Sequence, residues 1–108
     1  MVELIRLCRT GDVAETGPCE ASVGDLPSLA VFRWGEDYFV TDNFCTHGAA
    51  LLSEGYQEGF VIECPLHGGS FDIRDGKPLA SPCQVPLRTY PAIVDDGWVA
   101  IEQPPEKA

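Results

Sequence analysis

The sequence predicts an all-β sandwich or barrel, and three observations carry that prediction. The chain holds eleven glycines and nine prolines in 108 residues, so turn formers are dense. Between them lie short runs rich in β-branched and aromatic residues. No stretch shows the apolar spacing of an amphipathic helix.

The elements follow in order. Val2 to Cys8 is the first strand. Leu29-Ala30-Val31-Phe32-Arg33-Trp34 and Tyr38-Phe39-Val40-Thr41-Asp42 form a hairpin across Gly35-Glu36-Asp37. Phe60 to Glu63 and Ser70 to Ile73 are two shorter strands, the second closed by Asp75-Gly76. Arg88 to Val94 and Trp98 to Glu102 flank Asp95-Asp96-Gly97 as a last hairpin, and Pro86 and Pro91 mark the first of these as an edge or broken strand. The tail from Gln103, with Pro104-Pro105, is expected to fray.

The length suits one domain, residues 1–108, and is too short for two. Seventeen acids against seven bases give a formal charge of −10, which argues against nucleic acid and anionic membranes as partners. The charge reads as solubility, or as steering toward a basic patch on a partner protein. No apolar run approaches the length of a membrane span, and the start Met1-Val2-Glu3-Leu4-Ile5-Arg6 lacks an export signal. The expected compartment is the cytoplasm. Five cysteines could suggest a disulfide scaffold, but the number is odd and two stand beside histidines at ligand spacing. Reduced cysteines fit better.

Both histidines fall in two short segments, Cys45-Thr46-His47-Gly48 and Cys64-Pro65-Leu66-His67-Gly68-Gly69, with sixteen residues between His47 and Cys64. Each segment follows a strand, offers one thiolate and one imidazole, and ends in glycine, which lets backbone approach a bound group closely. Two such loops can clamp a metal centre between them. Zinc would take all four ligands at one ion. A two-iron, two-sulfur cluster of the Rieske type would place both cysteines on one iron and both histidines on the other. Zinc sites commonly keep like ligands adjacent, as C-x2-C and H-x3-H. The mixed order here, C-x-H and then C-x2-H, favours the cluster. The bland alternative, two buried cysteines and two hydrogen-bonded core histidines, would require all four to fall at matching turns by chance.

With these motifs in view, the chain resembles the Rieske ferredoxins of bacterial aromatic-ring-hydroxylating dioxygenase systems. The specific part is Asp42-Asn43-Phe44-Cys45-Thr46-His47-Gly48 and Glu63-Cys64-Pro65-Leu66-His67-Gly68. The resemblance implies a Rieske fold of stacked antiparallel sheets with a small cluster-binding subdomain, about residues 43–83. It implies one [2Fe–2S] cluster, with Cys45 and Cys64 on the inner iron and His47 and His67 on the outer one. It also implies a soluble electron carrier, not an enzyme, between a flavin-containing NADH-dependent reductase and a terminal oxygenase. Ser81-Pro82-Cys83 stands where the family has a proline-containing loop over the cluster.

Two thiolates and two neutral imidazoles leave an oxidised core of charge +2 with no net charge. An electron enters such a site more easily than one held by four thiolates. Respiratory Rieske proteins add a disulfide and two hydroxyl donors near the cluster. The matching positions here are Ala50 and Leu66, then Gly69 and Phe71, so neither device can form. Fewer bonds to the sulfurs imply a potential at the low end of the Rieske range, roughly −150 mV.

Cys83 reads more readily as a small buried residue than as a further sulfur by the cluster, and Cys8 and Cys19 have no partner at ligand spacing. Trp34, Tyr38, Phe39 and Trp98 read as packing. The chain has no Gly-x-Gly-x-x-Gly fingerprint, so it is not expected to oxidise NADH. An oxygenase would need two further histidines for a mononuclear iron, and both are already used. A small subunit of a larger reductase, such as an assimilatory nitrite reductase, is the alternative that remains, beside a zinc-binding module.

Overall fold

The structure, a computed structural model, describes residues 3–46, 50–65, 68–81 and 83–103. Eleven strands lie among the described residues: β1 Leu4–Arg9, β2 Cys19–Ala21, β3 Leu29–Trp34, β4 Asp37–Asp42, β5 Tyr56–Glu58, β6 Val61–Glu63, β7 Ser70–Asp72, β8 Pro78–Ala80, β9 Thr89–Tyr90, β10 Ile93–Asp95 and β11 Trp98–Glu102. Two single turns of 3-10 helix, Thr10–Asp12 and Leu52–Glu54, are the helical elements among the described residues. All strands pair antiparallel, in three sheets ordered β1-β11-β10, β2-β3-β4-β9 and β5-β6-β7-β8. The all-β expectation therefore holds. No helix among these residues is long and apolar enough to cross a membrane.

Strand β3 ties the three sheets together. Leu29, Ala30, Val31 and Phe32 are all buried, which is the continuous apolar run of a strand covered on both faces. Side chains alternate along a strand, so the run divides between two cores. Leu29 and Val31 join Leu7, Val13, Val40, Tyr90, Val99 and Ile101 beneath the first two sheets. Ala30 and Phe32 point the other way, into a second core with Leu52, Ile62, Phe71, Ile73 and Leu87. That second core also holds Cys45, Cys64 and Cys83.

The predicted hairpins appear with small changes. The β3–β4 loop shrinks to Gly35-Glu36, because Trp34 pairs with Asp37 and Gly35 takes a φ of 65°. The β10–β11 loop is Asp96-Gly97, both with positive φ. The run from Arg88 to Val94 is a correction. It splits into β9, which pairs with β4, and β10, which pairs with β11 in another sheet, with Pro91 between them. Proline offers no N–H to a ladder, so the chain changes sheets there. Strand β1 runs to Arg9, and the expected strands at Phe60 and Ile73 stop one residue short. Strands β2, β5 and β8 were not anticipated.

Aromatic packing joins the third sheet to the hairpin. Phe60 meets Phe39 and Trp34 edge to face, with centroids 5.8 Å and 6.5 Å apart. Gln57 donates its side-chain amide to the Arg33 carbonyl across the same seam (2.9 Å) and to the Gly59 carbonyl in its own turn (3.0 Å). At Gly76, φ is 79° and a Cβ would strike the Leu87 carbonyl. This contact, with the Leu87 N–H donating to the Gly76 carbonyl at 2.9 Å, draws the 83–87 segment onto the third sheet.

Candidate metal centre

Two loops built to one plan carry the predicted ligands. In the first, Phe44 and Leu51 form an antiparallel bridge, and the Cys45 N–H donates to the Ala50 carbonyl at 2.9 Å. In the second, Glu63 pairs with Ser70, and the Cys64 N–H donates to the Gly69 carbonyl at 2.7 Å. Each loop thus begins with a cysteine whose N–H closes the turn onto the carbonyl five residues on. Cys45 is 5% exposed and Cys64 is 2% exposed, both within the same apolar core.

His47 and His67 lie outside the described residues, as do Gly48, Ala49, Leu66 and Pro82. Of the four predicted ligands, the structure therefore places the two cysteines together and describes neither histidine. Among the described residues, no three Cys, His, Asp or Glu side chains converge to hold an ion. The described part of the donor set suits an iron–sulfur group. Two thiols from twin loops enter one apolar core, and as thiolates they would suit the iron of an iron–sulfur group.

Sequence reasoning gave no role to two residues that shape this place, and it read a third, Cys83, as a small buried residue. Asn43 is fully buried and uses every part of its polar surface. Its backbone N–H donates to the Ser28 carbonyl at 3.0 Å and its carbonyl accepts from Leu52 at 2.7 Å. Its side-chain amide donates to Ser28 Oγ at 3.0 Å, and its Oδ1 accepts the Ser53 N–H at 2.8 Å. Ser28 Oγ in turn donates to Glu20 at 2.8 Å. Thr46 donates its hydroxyl to the Val85 carbonyl at 2.7 Å, fastening the first loop to the segment that follows β8. The asparagine and threonine stood inside the recognised motif, so their position was the available signal.

Cys83 is the third. It is 5% exposed, as a small buried residue should be, but its Sγ lies 3.8 Å from Cys45 Sγ. Burial first, and then the Cys45 and Cys64 sulfurs, push its thiol up from 9.0 to about 12. Phe71 is fully buried in the second core and Gly69 carries no side chain, in keeping with the absence of hydroxyl donors at those positions. Cys8 and Cys19 pack against the first core, away from these loops.

Comparison with known proteins gives the family. The family model described as Rieske [2Fe-2S] domain matches residues 3–91. The ferredoxin component of the p-cumate 2,3-dioxygenase system of Pseudomonas putida is 39% identical over 103 residues, covering 94% of this chain and 87% of that protein. The Sphingomonas yanoikuyae B1 ferredoxin superposes with a TM-score of 0.92 at 50% identity, covering 94% of this chain and all of that one. A ferredoxin solved in complex with the oxygenase of carbazole 1,9a-dioxygenase superposes at 0.85 with 38% identity, covering 92% of each chain. A nitrite reductase small subunit from Mycobacterium tuberculosis superposes at 0.82 but is 18% identical, which is a likeness of fold alone. The chain belongs to the Rieske [2Fe-2S] family, as a ferredoxin that carries one Rieske-type cluster.

Proposed function

We propose that Cys45 and Cys64 hold the inner iron, that His47 and His67 hold the outer one, and that the chain shuttles single electrons from a flavin-containing NADH-dependent reductase to a terminal ring-hydroxylating oxygenase. The observation that carries this reading is the pair of equivalent loops, each opening on a buried cysteine at the second core. When bound, the cluster supplies one-electron redox chemistry. The protein's part is to hold two thiolates away from water and to fix their loops.

The loops do this by backbone closure at Cys45 and Cys64 and by the Asn43 and Thr46 bonds to neighbouring segments. Fixed ligands lower the reorganisation that accompanies gain or loss of an electron. Beside the first loop, Phe44 and Val85 are 56% and 59% exposed, and they offer an apolar contact for an oxidising partner. A formal charge of −10 would steer the chain toward basic docking patches. The reading treats residues 1–108 as a single domain acting in the cytoplasm, with residues 43–83 as its cluster-binding part.

The test is reconstitution. Mixed with such a reductase, NADH and a ring-hydroxylating oxygenase, the protein is expected to be reduced and reoxidised within turnover. Its electron transfer should slow as salt rises. Reduction by the reductase without reoxidation by any such oxygenase would overturn the acceptor assignment.

A further inference from the structure

The Sγ atoms of Cys45 and Cys83 are 3.8 Å apart in the second core, and as two thiols either could be the donor. Metal binding removes that ambiguity. A cysteine ligates as its thiolate, which has no proton to give, so as a ligand Cys45 can only accept. The proton of the pair must then lie on Cys83.

The place of Cys83 is set from several sides. Its N–H donates to the Ala80 carbonyl at 3.1 Å, closing a turn directly after β8. Two residues on, the Val85 carbonyl accepts the Thr46 hydroxyl at 2.7 Å. Further along, the Leu87 N–H donates to the Gly76 carbonyl at 2.9 Å, and the Leu87 side chain enters the core that holds all three cysteines. The segment is therefore tied both to the first ligand loop and to the third sheet. At 5% exposure Cys83 has little access to water, and the Cys45 sulfur is the acceptor within reach of its weak S–H donor.

We propose that Cys83 is a positioning residue for the redox centre, whose S–H donates to the Cys45 sulfur and thereby raises the midpoint potential. The inference rests on the reading of Cys45 as an iron ligand. Adding an electron makes the ligand sulfurs more negative, so a donor on one of them stabilises the reduced state more than the oxidised state. The bond stands in for the hydroxyl donors that Gly69 and Phe71 do not supply. A residue that merely fills space would leave the potential unmoved.

The test uses the cluster-loaded full-length protein and its Cys83→Ala and Cys83→Ser variants, with redox titration, EPR of the reduced state and redox-difference infrared spectra. Cys83→Ala is expected to keep the mixed Cys/His EPR signature while its midpoint falls. Cys83→Ser, which retains a donor, should recover the potential toward or above wild type. In the wild type, an S–H stretch that disappears in Cys83→Ser should move to lower frequency on reduction. This readout stands even if the alanine variant does not fold. Equal midpoints in wild type and Cys83→Ala, or an S–H band indifferent to reduction, would overturn the proposal. So would a folded, iron-loaded Cys83→Ala without the mixed-ligand signature, which would make Cys83 itself a ligand. A wild type without that signature would instead overturn the ligand reading, and this inference with it.

Discussion

The loop from 45 to 50 hangs from one isolated bridge, Phe44 to Leu51, whereas the loop from 64 to 69 caps the continuous ladder of β6 and β7. Both end in the same frame, with a cysteine N–H bonded five residues ahead. Their support differs in kind. Aligned on their cysteines, Asn43 in the first corresponds to Ile62 in the second, and both are fully buried. The second loop is held by a strand and an apolar anchor. The first lacks a strand there, and a hydrogen-bonded asparagine replaces it. A polar anchor satisfies backbone groups that no neighbouring strand can reach, and it is unforgiving when removed.

Substitutions at matched positions test whether the two loops differ in this way. The largest effect should be symmetric. Cys45→Ala and Cys64→Ala are each expected to abolish cluster binding, read as loss of visible absorption and of iron in the purified protein. A variant of either that kept a full cluster would show that the halves are unequal as ligands.

The next effect should be asymmetric. Asn43→Ala leaves the Ser53 N–H without its acceptor, at about 1–3 kcal/mol, and takes one donor from the Ser28 oxygen, whose own hydroxyl proton stays on Glu20. Ile62→Val removes one methylene and costs about 1 kcal/mol. Urea denaturation should therefore rank Asn43→Ala as clearly the more damaging. The reverse order would remove the special role of the polar anchor.

Smaller again is Thr46→Val, which loses the bond to the Val85 carbonyl at a cost of about 1 kcal/mol. Its counterpart Pro65 is exposed, and Pro65→Ala should change stability by less than about 0.5 kcal/mol. Challenge with an iron chelator should strip Thr46→Val faster than Pro65→Ala. Equal rates would mean that the tie to Val85 does not hold the loop.

The smallest effect lies beside the first loop and depends on pH. Tyr90 donates to Asp42 at 2.6 Å, one residue before Asn43. Burial, and then this bond to a carboxylate, raise the phenol above its usual 10.0. The unfolded chain therefore releases the proton first as pH rises. The associated stability is complete below about pH 10 and declines above it, toward the raised folded value. Stability measured from pH 8 to 11 should fall at the alkaline end, and Tyr90→Phe should flatten that fall. An unchanged profile in the variant would assign the alkaline loss to other groups.

How much of this was legible in the sequence follows the same division. The family motif, the β3–β4 and β10–β11 hairpins and the all-β class could be read, because each has a periodic or motif signal. Strands β2, β5 and β8 could not. Each is three residues long, and Pro78-Leu79-Ala80 lies largely exposed, so no alternation marks it. The split at Pro91 was legible as a break, but its assignment to two sheets depends on tertiary pairing. Asn43 and Cys83 were hidden for a related reason. Hydrophobic pattern is blind to a buried polar anchor, and although the resemblance set Ser81-Pro82-Cys83 over the cluster, spacing alone does not reveal that Cys83 Sγ comes within 3.8 Å of Cys45 Sγ.

The central claim, one cysteine and one histidine from each loop, is tested most directly by the EPR spectrum of the dithionite-reduced protein. One [2Fe–2S] centre with the mean g value of mixed Cys/His ligation is expected. A spectrum of the all-cysteine type, or a colourless protein that binds zinc without iron, would contradict it.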